Sequence, residues 1–142
     1  MANIVRVTPA DGQLARAAIG EIHGRQIESE DVVAAFLRDD DTLMFVALDG
    51  GRVVGSAYGY RLRNPHALAP QYYLYEVDVH EDSRRHGIGR ALVEAFTEAA
   101  RSAGACEVWV GTEAANAPAL ALYKRADYEV EEDHIVMFVK EF

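Results

Sequence analysis

Two arginines and two glycines within six residues, Arg84-Arg85-His86-Gly87-Ile88-Gly89, make the segment of this 142-residue chain best suited to holding a ligand. It stands between a strand-like run, Tyr72 to Val79, and a helical pattern from Arg90 to Ala103. In that pattern Leu92, Val93, Phe96, Ala99 and Ala100 recur at helical spacing, and Gly104 supplies the stop. A glycine turn entering a helix presents unpaired backbone N–H groups and the positive end of the helix dipole to an anion. Glycine lets the backbone approach a pyrophosphate closely, and arginine adds charge and forked donors. The chemistry these residues suit is a phosphate cradle. A Walker-type loop would need Gly-Lys-Ser/Thr, which is absent. A dinucleotide fingerprint would need three spaced glycines near a first strand, whereas Gly87 and Gly89 stand past mid-chain. Taken alone, the six residues leave open an ordinary strand-to-helix turn with solvated arginines.

The strand before the loop carries two carboxylates, Glu76 and Asp78, on one face because strand side chains alternate. Carboxylates in a central strand are costly unless solvated or paired. Burial would raise the pKa of Glu76 toward that of a base, or a water would relay a proton to it. Its blander role is to anchor a substrate ammonium. Asp78 is the second choice, Glu113 supplies a further acid after the next strand, and His80 and His134 rank below Glu76. A second ordered segment, Asn116-Ala117-Pro118-Ala119-Leu120-Ala121-Leu122-Tyr123, follows the strand-like Glu107 to Val110. Asn116 is suited to cap a helix there, with Pro118 in its first turn.

Taken together, the two segments resemble the GCN5-related N-acetyltransferases. Arg84 to Gly89 is similar to that family's Arg/Gln-x-x-Gly-x-Gly/Ala loop for the pyrophosphate of acetyl-CoA. Asn116, Ala119, Leu122, Tyr123 and Tyr128 match its Asn-x-x-Ala-x-x-Leu-Tyr element and the aromatic beyond it. The family's glycine before that aromatic is Asp127 here, and Asp tolerates a left-handed cap better than most residues. The resemblance implies acetyl transfer from acetyl-CoA to an amine, without a metal. It places the pantetheine arm along the strand, paired with Val77 and Val79, and makes the Val77 N–H the oxyanion donor. Tyr123 becomes the acid for the departing thiolate. The loop residues Arg84, Arg85, His86, Gly87, Ile88, Gly89 and Arg90, with Asn116 and Tyr123, become the cofactor contacts. His86 and Arg90 act chiefly through their backbone N–H groups, and spacing does not say which of Arg84 and Arg85 meets the pyrophosphate or the ribose phosphate.

Within the superfamily, Tyr73-Leu74-Tyr75-Glu76-Val77, Arg84 to Ile88, Ala117 to Tyr123 and the stretch Phe36 to Gly55 are similar to the small aminoglycoside 3-N-acetyltransferases. That implies an aminoglycoside acceptor, a part in antibiotic resistance, and substrate contacts at Tyr75, Glu76, Asp78 and Glu113, with Tyr72, Tyr73 and the loop from Arg61 to Pro70 flanking the cleft. Arg61 and Arg63 would repel a cation there unless turned away or paired. Asn116-Ala117 departs from an acidic pair in those enzymes, and Val136 stands where an acid is expected. Another small amine, a polyamine, an amino acid, a peptide N-terminus and a non-catalytic acetyl-CoA-binding module stay open as alternatives.

Composition agrees in direction. A formal charge of −9 disfavours nucleic acid and suits a cationic acceptor. No apolar run is long enough for a bilayer and no signal-peptide pattern opens the chain, so a cytoplasmic protein without membrane contact is expected. A single cysteine, Cys106, excludes an internal disulfide and reads as a small buried hydrophobe. The histidines at 23, 66, 80, 86 and 134 show no metal-ligand spacing.

The elements that must position these residues read as one domain over 1–142. A strand Ile4 to Val7 precedes helices from about Gln13 to His23 and Ser29 to Arg38. A hairpin, Leu43 to Leu48 and Val53 to Leu62, turns at Gly50-Gly51. The carboxylate strand, the loop and its helix, the strand near Val108 and the helix from Ala117 follow, then a final hairpin ending at Ile135 to Val139. The order β-α-α-β-β-β-α-β-α-β-β predicts an α/β fold, a mixed central sheet flanked by helices, that matches the acetyltransferase fold. A homodimer is expected through strands near the C-terminus.

Overall fold

A computed structural model describes residues 2–131 and 135–142. Five strands form one mixed sheet in sequence order: β1 (Asn3–Arg6), β2 (Thr42–Asp49), β3 (Arg52–Leu62), β4 (Gln71–Val79) and β5 (Glu107–Trp109). The first four are antiparallel, and β5 joins β4 in parallel. A parallel neighbour needs a crossover, and α3 (Ile88–Ser102) supplies it. The apolar stripe of α3 (Leu92, Val93, Phe96 and Ala100, all fully buried) packs on Phe45, Val54, Leu74 and Val79 of one sheet face. On the other face, α1 (Gly12–Ala17), the turn after it and α2 (Glu30–Arg38) cover Met44, Val46 and Val53 with Ala15, Ala18 and Val33. The final helix, α4 (Ala117–Arg125), leans on α3. Among the described residues, no helix is long and apolar enough to cross a membrane.

An irregularity in β4 positions the site. Tyr58 pairs with Glu76 but Gly59 pairs with Leu74, so Tyr75 is an extra residue, a β-bulge. Before it, Tyr72 and Leu74 face α3; after it, Val79 does. The bulge therefore switches the alternation and turns Glu76 toward the α1 side. Opposite the bulge the chains close so tightly that a Cβ on residue 59 would stand 2.0 Å from the Tyr73 carbonyl oxygen, and Gly59 meets that need. The pairing of β4 with β5 spans only Gln71–Tyr73, and the edge of β4 beyond Tyr73 is unpaired by β5.

Three features differ from expectation. The first helix ends early: Gly12–Ala17 is α-helical, and Ala18–Ile22 opens into a π-turn. Cys106 is exposed, its thiol directed at the Pro70 carbonyl oxygen 3.5 Å away, because the β5 entry it precedes lies at the sheet edge. The final two strands are not formed among the described residues, and Ile135 to Val139 stand 71–90 % exposed. A strand needs a paired neighbour, and residues 135–142 make no ladder with the three-residue β5. Glu132, Asp133 and His134 lie outside the described residues.

Candidate active site

The loop after β4 turns sharply. Arg85 (φ 65°) and Gly87 (φ 78°) both adopt left-handed backbone, and Gly87 caps α3. The first backbone bond of that helix runs from the Ala91 N–H to the Gly87 oxygen at 3.0 Å. The N–H groups of Ile88, Gly89 and Arg90 are consequently left over at the positive helix end. A Cβ built on Gly87 would meet nothing within 4 Å, so open space lies above the cap. Gly89 is closely packed instead, 3.5 Å from the Leu122 side chain on its missing Cβ. Unused donors beside open space fit an anionic pyrophosphate.

The loop's side chains are partly committed. Arg84 donates through Nε to the Val79 oxygen (3.0 Å) and lies 3.5 Å from the Asp78 carboxylate, which ties the loop to β4. Arg90 pairs with Glu94 one turn on at 2.7 Å, and the His86 ring contacts the Ser83 carbonyl at 3.2 Å. Arg85 is exposed.

The open edge of β4 runs from this loop toward Glu76. His80 donates its N–H to Val54 in β3 (2.7 Å), so antiparallel alternation turns the Val77 and Val79 N–H groups away from β3, to the free edge. Asp78 accepts the Val79 N–H at 2.8 Å. Beyond the short β4–β5 pairing, Asn116 caps α4 by accepting the Ala119 N–H at 3.2 Å. Asp127 adopts φ 64°, and the Tyr128 N–H reaches the Tyr123 oxygen (2.9 Å) while the Asp127 N–H reaches Lys124 (3.2 Å). These two bonds make a Schellman end, the geometry for which glycine is the usual residue. Tyr123 is largely buried, its ring centroid 6.0 Å from that of Tyr128. Burial, then the neighbouring Tyr128 and Tyr73, push its hydroxyl up to about 12.

On the α1 side, Glu76 is held from two directions. The Tyr58 hydroxyl donates to Oε2 at 2.6 Å and the Arg25 guanidinium to Oε1 at 3.0 Å. Burial alone would raise its pKa, but these hydrogen bonds and the charges of His23 and Arg25 outweigh it, and the carboxyl titrates below its ordinary 4.5. The expected rise toward a base is not seen, because the group is paired rather than isolated. His23 brings Nδ1 to 3.6 Å from Oε2. Tyr75 stacks on Tyr58 (5.7 Å) and meets Tyr60 and Tyr73 edge-on, while Tyr73 stacks on Trp109 at 4.1 Å.

Glu76 and Asp78 share one face by strand alternation, and the bulge brings Tyr75 to it as well. Tyr72 does not: it is buried edge-on against Phe96 on the α3 side, because it precedes the bulge. Glu113 is exposed in the turn before α4, where its carbonyl accepts the Asn116 N–H. Arg61 and Arg63 both pair with Asp41, at 3.7 and 3.3 Å, which masks their charge. His80 lies at the far end of β4 beside Arg52. The sequence reading did not single out His23, Arg25, Tyr58 or Trp109. The approach of the first two to Glu76 depends on the π-turn, which no periodicity announces.

The acetyltransferase (GNAT) family model matches residues 13–128, from α1 to Tyr128, and the chain belongs to that family. N-acetyltransferase 8 of Rattus norvegicus is 29% identical over 93 residues, 66% of this chain and 42% of that protein. The chain thus spans less than half the length of that curated relative. Among solved structures, an aminoglycoside acetyltransferase from an uncultured soil metagenomic sample superimposes with a TM-score of 0.87 at 26% identity, covering 99% of this chain and 96% of that one. It has been solved with trehalose and with sisomicin. A second soil aminoglycoside acetyltransferase gives a TM-score of 0.83 at 25% identity, covering 99% of each chain.

Proposed function

We propose that the chain transfers the acetyl group of acetyl-CoA directly to an amine of a cationic small molecule, with an aminoglycoside, acetylated at its 3-N position, as the acceptor. The observation that carries the transfer is the unpaired edge of β4, which joins the donor-rich cap of α3 at one end to the Glu76 cluster at the other. Acetyl-CoA supplies an activated acyl group. Ile88, Gly89 and Arg90 offer their N–H groups to its pyrophosphate around Gly87, with Arg84, Arg85 and His86 beside them. Val77 offers strand pairing to its pantetheine arm, Val79 joins it once the arm displaces Asp78 from its N–H, and the free Val77 N–H is the donor for negative charge on the acyl oxygen. Tyr123, kept protonated by burial, donates to the sulfur, and Asn116 fixes the helix that carries it. Glu76, held as an anion, orients the acceptor's ammonium, which loses a proton to solvent so that the neutral amine attacks the thioester carbon, with Tyr75, Asp78 and Glu113 on the acceptor side.

The aminoglycoside reading is supported by the two soil enzymes and by the charge of −9. A second reading has its own observation. A cavity of about 310 Å³ beside Tyr58 and Tyr60 is lined mainly by apolar groups, among them Ile27, Val33, Phe36 and Met44, and it suits an amine with an apolar body. Thiol release from acetyl-CoA across aminoglycosides, polyamines, short peptides and arylalkylamines separates the two. The first reading expects the highest kcat/KM among aminoglycosides, with NMR of the product placing the acetyl group on the 3-amine. Highest turnover with arylalkylamines overturns it in favour of the second.

A further inference from the structure

His23 has no part in the mechanism above, yet its surroundings are unusual. Its side chain is 1% exposed, and neither ring nitrogen has a hydrogen-bond partner among the described residues. A phenyl ring would fill the same space without two stranded nitrogens, so burial alone does not explain an imidazole there. The π-turn Ala18–Ile22 delivers it: the His23 N–H bonds to the Ala18 oxygen at 3.0 Å and the Arg25 N–H to the Ile19 oxygen at 2.9 Å. One widened turn thereby brings both side chains to one carboxylate, and such turns recur at functional sites.

The groups facing the imidazole come from every element around it. Glu76 and Asp78 approach from β4, with Glu76 Oε2 3.6 Å from Nδ1. Tyr58 of β3 stands edge-on with ring centroids 5.0 Å apart, its hydroxyl already given to Glu76. Arg25, on His23's own segment, holds the other carboxylate oxygen.

We propose that His23 is a positioning residue that sets the charge of the acceptor site through Glu76. Neutral, it leaves Glu76 with two partners and an available lone pair for the acceptor's ammonium. On taking a proton from solvent, its new N–H claims the carboxylate, and the added positive charge repels the incoming cation. Burial lowers the imidazole's pKa below 6.5, against the opposing pull of Glu76 and Asp78 and with help from Arg25, so the change falls on the acid side of neutrality. The inference rests on the reading that Glu76 holds the acceptor amine.

The test has two parts. The pH dependence of kcat/KM is measured for wild type and His23→Phe with two acceptors of different amine pKa. Wild type should show an acid limb below pH 6.5, falling about tenfold per pH unit, at a position common to both acceptors. In His23→Phe that limb should move into the carboxylate range. A limb that follows the acceptor's own pKa, or one unmoved in His23→Phe while the rate falls uniformly, overturns the proposal. Independently of any acceptor, NMR titration of histidine Cε1–H signals assigns His23 by its loss in His23→Phe. It should titrate below 6.5, and lower still in Glu76→Gln, where a carboxylate that favours the charged form is gone. A midpoint unchanged in Glu76→Gln shows that the two groups are not coupled and overturns the proposal even if no tested amine is a substrate. Coupling seen by NMR in a protein that acetylates none of the panel leaves the pair in place and overturns only the acceptor reading.

Discussion

Replacing Tyr123 by Phe removes one hydroxyl and keeps the ring that packs beside Tyr128 and the α3 layer. Burial holds that hydroxyl protonated up to about 12, roughly three to four pH units above a free thiol. Complete proton transfer to a thiolate leaving group is therefore uphill. What the hydroxyl offers is a hydrogen bond that strengthens as negative charge grows on sulfur. A hydrogen bond to a charged group is worth about 1.5–3 kcal/mol, which corresponds to a loss of roughly 10- to 150-fold in kcat. Because the bond matures with the charge, KM for acetyl-CoA should change by no more than about twofold. The assay is thiol release at saturating substrates between pH 7 and 10 for both proteins. The wild-type rate should show no alkaline loss from this group in that range, since its titration lies above it. A Tyr123→Phe kcat within twofold of wild type would refute the reasoning. So would a loss confined to KM, which would make the hydroxyl a contact for the bound cofactor only.

Other outcomes follow from the same geometry. Gly87→Val places a β-branched residue at φ 78° with its side chain in the open space above the α3 cap. It should cost about 1–2 kcal/mol of stability by denaturant unfolding and raise KM for acetyl-CoA at least about tenfold in the kinetic assay. Asp127→Gly relieves the left-handed strain at φ 64° and should stabilise the protein by about 0.5–1 kcal/mol, read as a rise in Tm of a few degrees by calorimetry. Gly59→Ala would set a methyl group against the Tyr73 carbonyl, 2.0 Å away, and the Phe96 ring, 2.8 Å away, so the soluble yield of folded protein should collapse. Acid stability has a defined sign. His23 titrates below 6.5 when folded, so as pH falls from 6.5 toward its folded value the unfolded chain binds more protons and stability drops. Glu76, depressed below 4.5, adds a further loss as pH falls through its folded value. Denaturant midpoints in His23→Phe should fall less steeply with pH just below 6.5 than in wild type.

The motifs were legible because each is local. Gly87 at a positive φ, Asn116 as a cap and Asp127 as a left-handed end follow from residue type and neighbours over a few positions. The hairpin at Gly50-Gly51 and the helix stopped by Gly104 were readable for the same reason. What sequence did not show was non-local. The bulge at Tyr75 is created by the pairing with β3, and it sets Glu76 on the face of Tyr73 and Tyr75 instead of the face of Tyr72, which is buried against Phe96. Arg25 lies 51 positions from the carboxylate it holds, and a π-turn interrupting an otherwise ordinary helical pattern brings it there. The low pKa of Glu76 is a property of that assembly, so reading an isolated strand carboxylate gave the opposite direction. The stretch Ile135 to Val139 is apolar throughout, yet hydrophobicity without a paired neighbour does not make a strand.

The most direct test of acetyl transfer across the open edge of β4 is mass spectrometry of both enzyme and acceptor after one turnover with acetyl-CoA and sisomicin. The account predicts an acceptor heavier by one acetyl group, an unmodified enzyme, and loss of the product in a Tyr123→Phe, Glu76→Gln double variant. An acetylated enzyme would contradict direct transfer, and an unchanged acceptor in every amine tested, with acetyl-CoA still bound, would contradict catalysis itself.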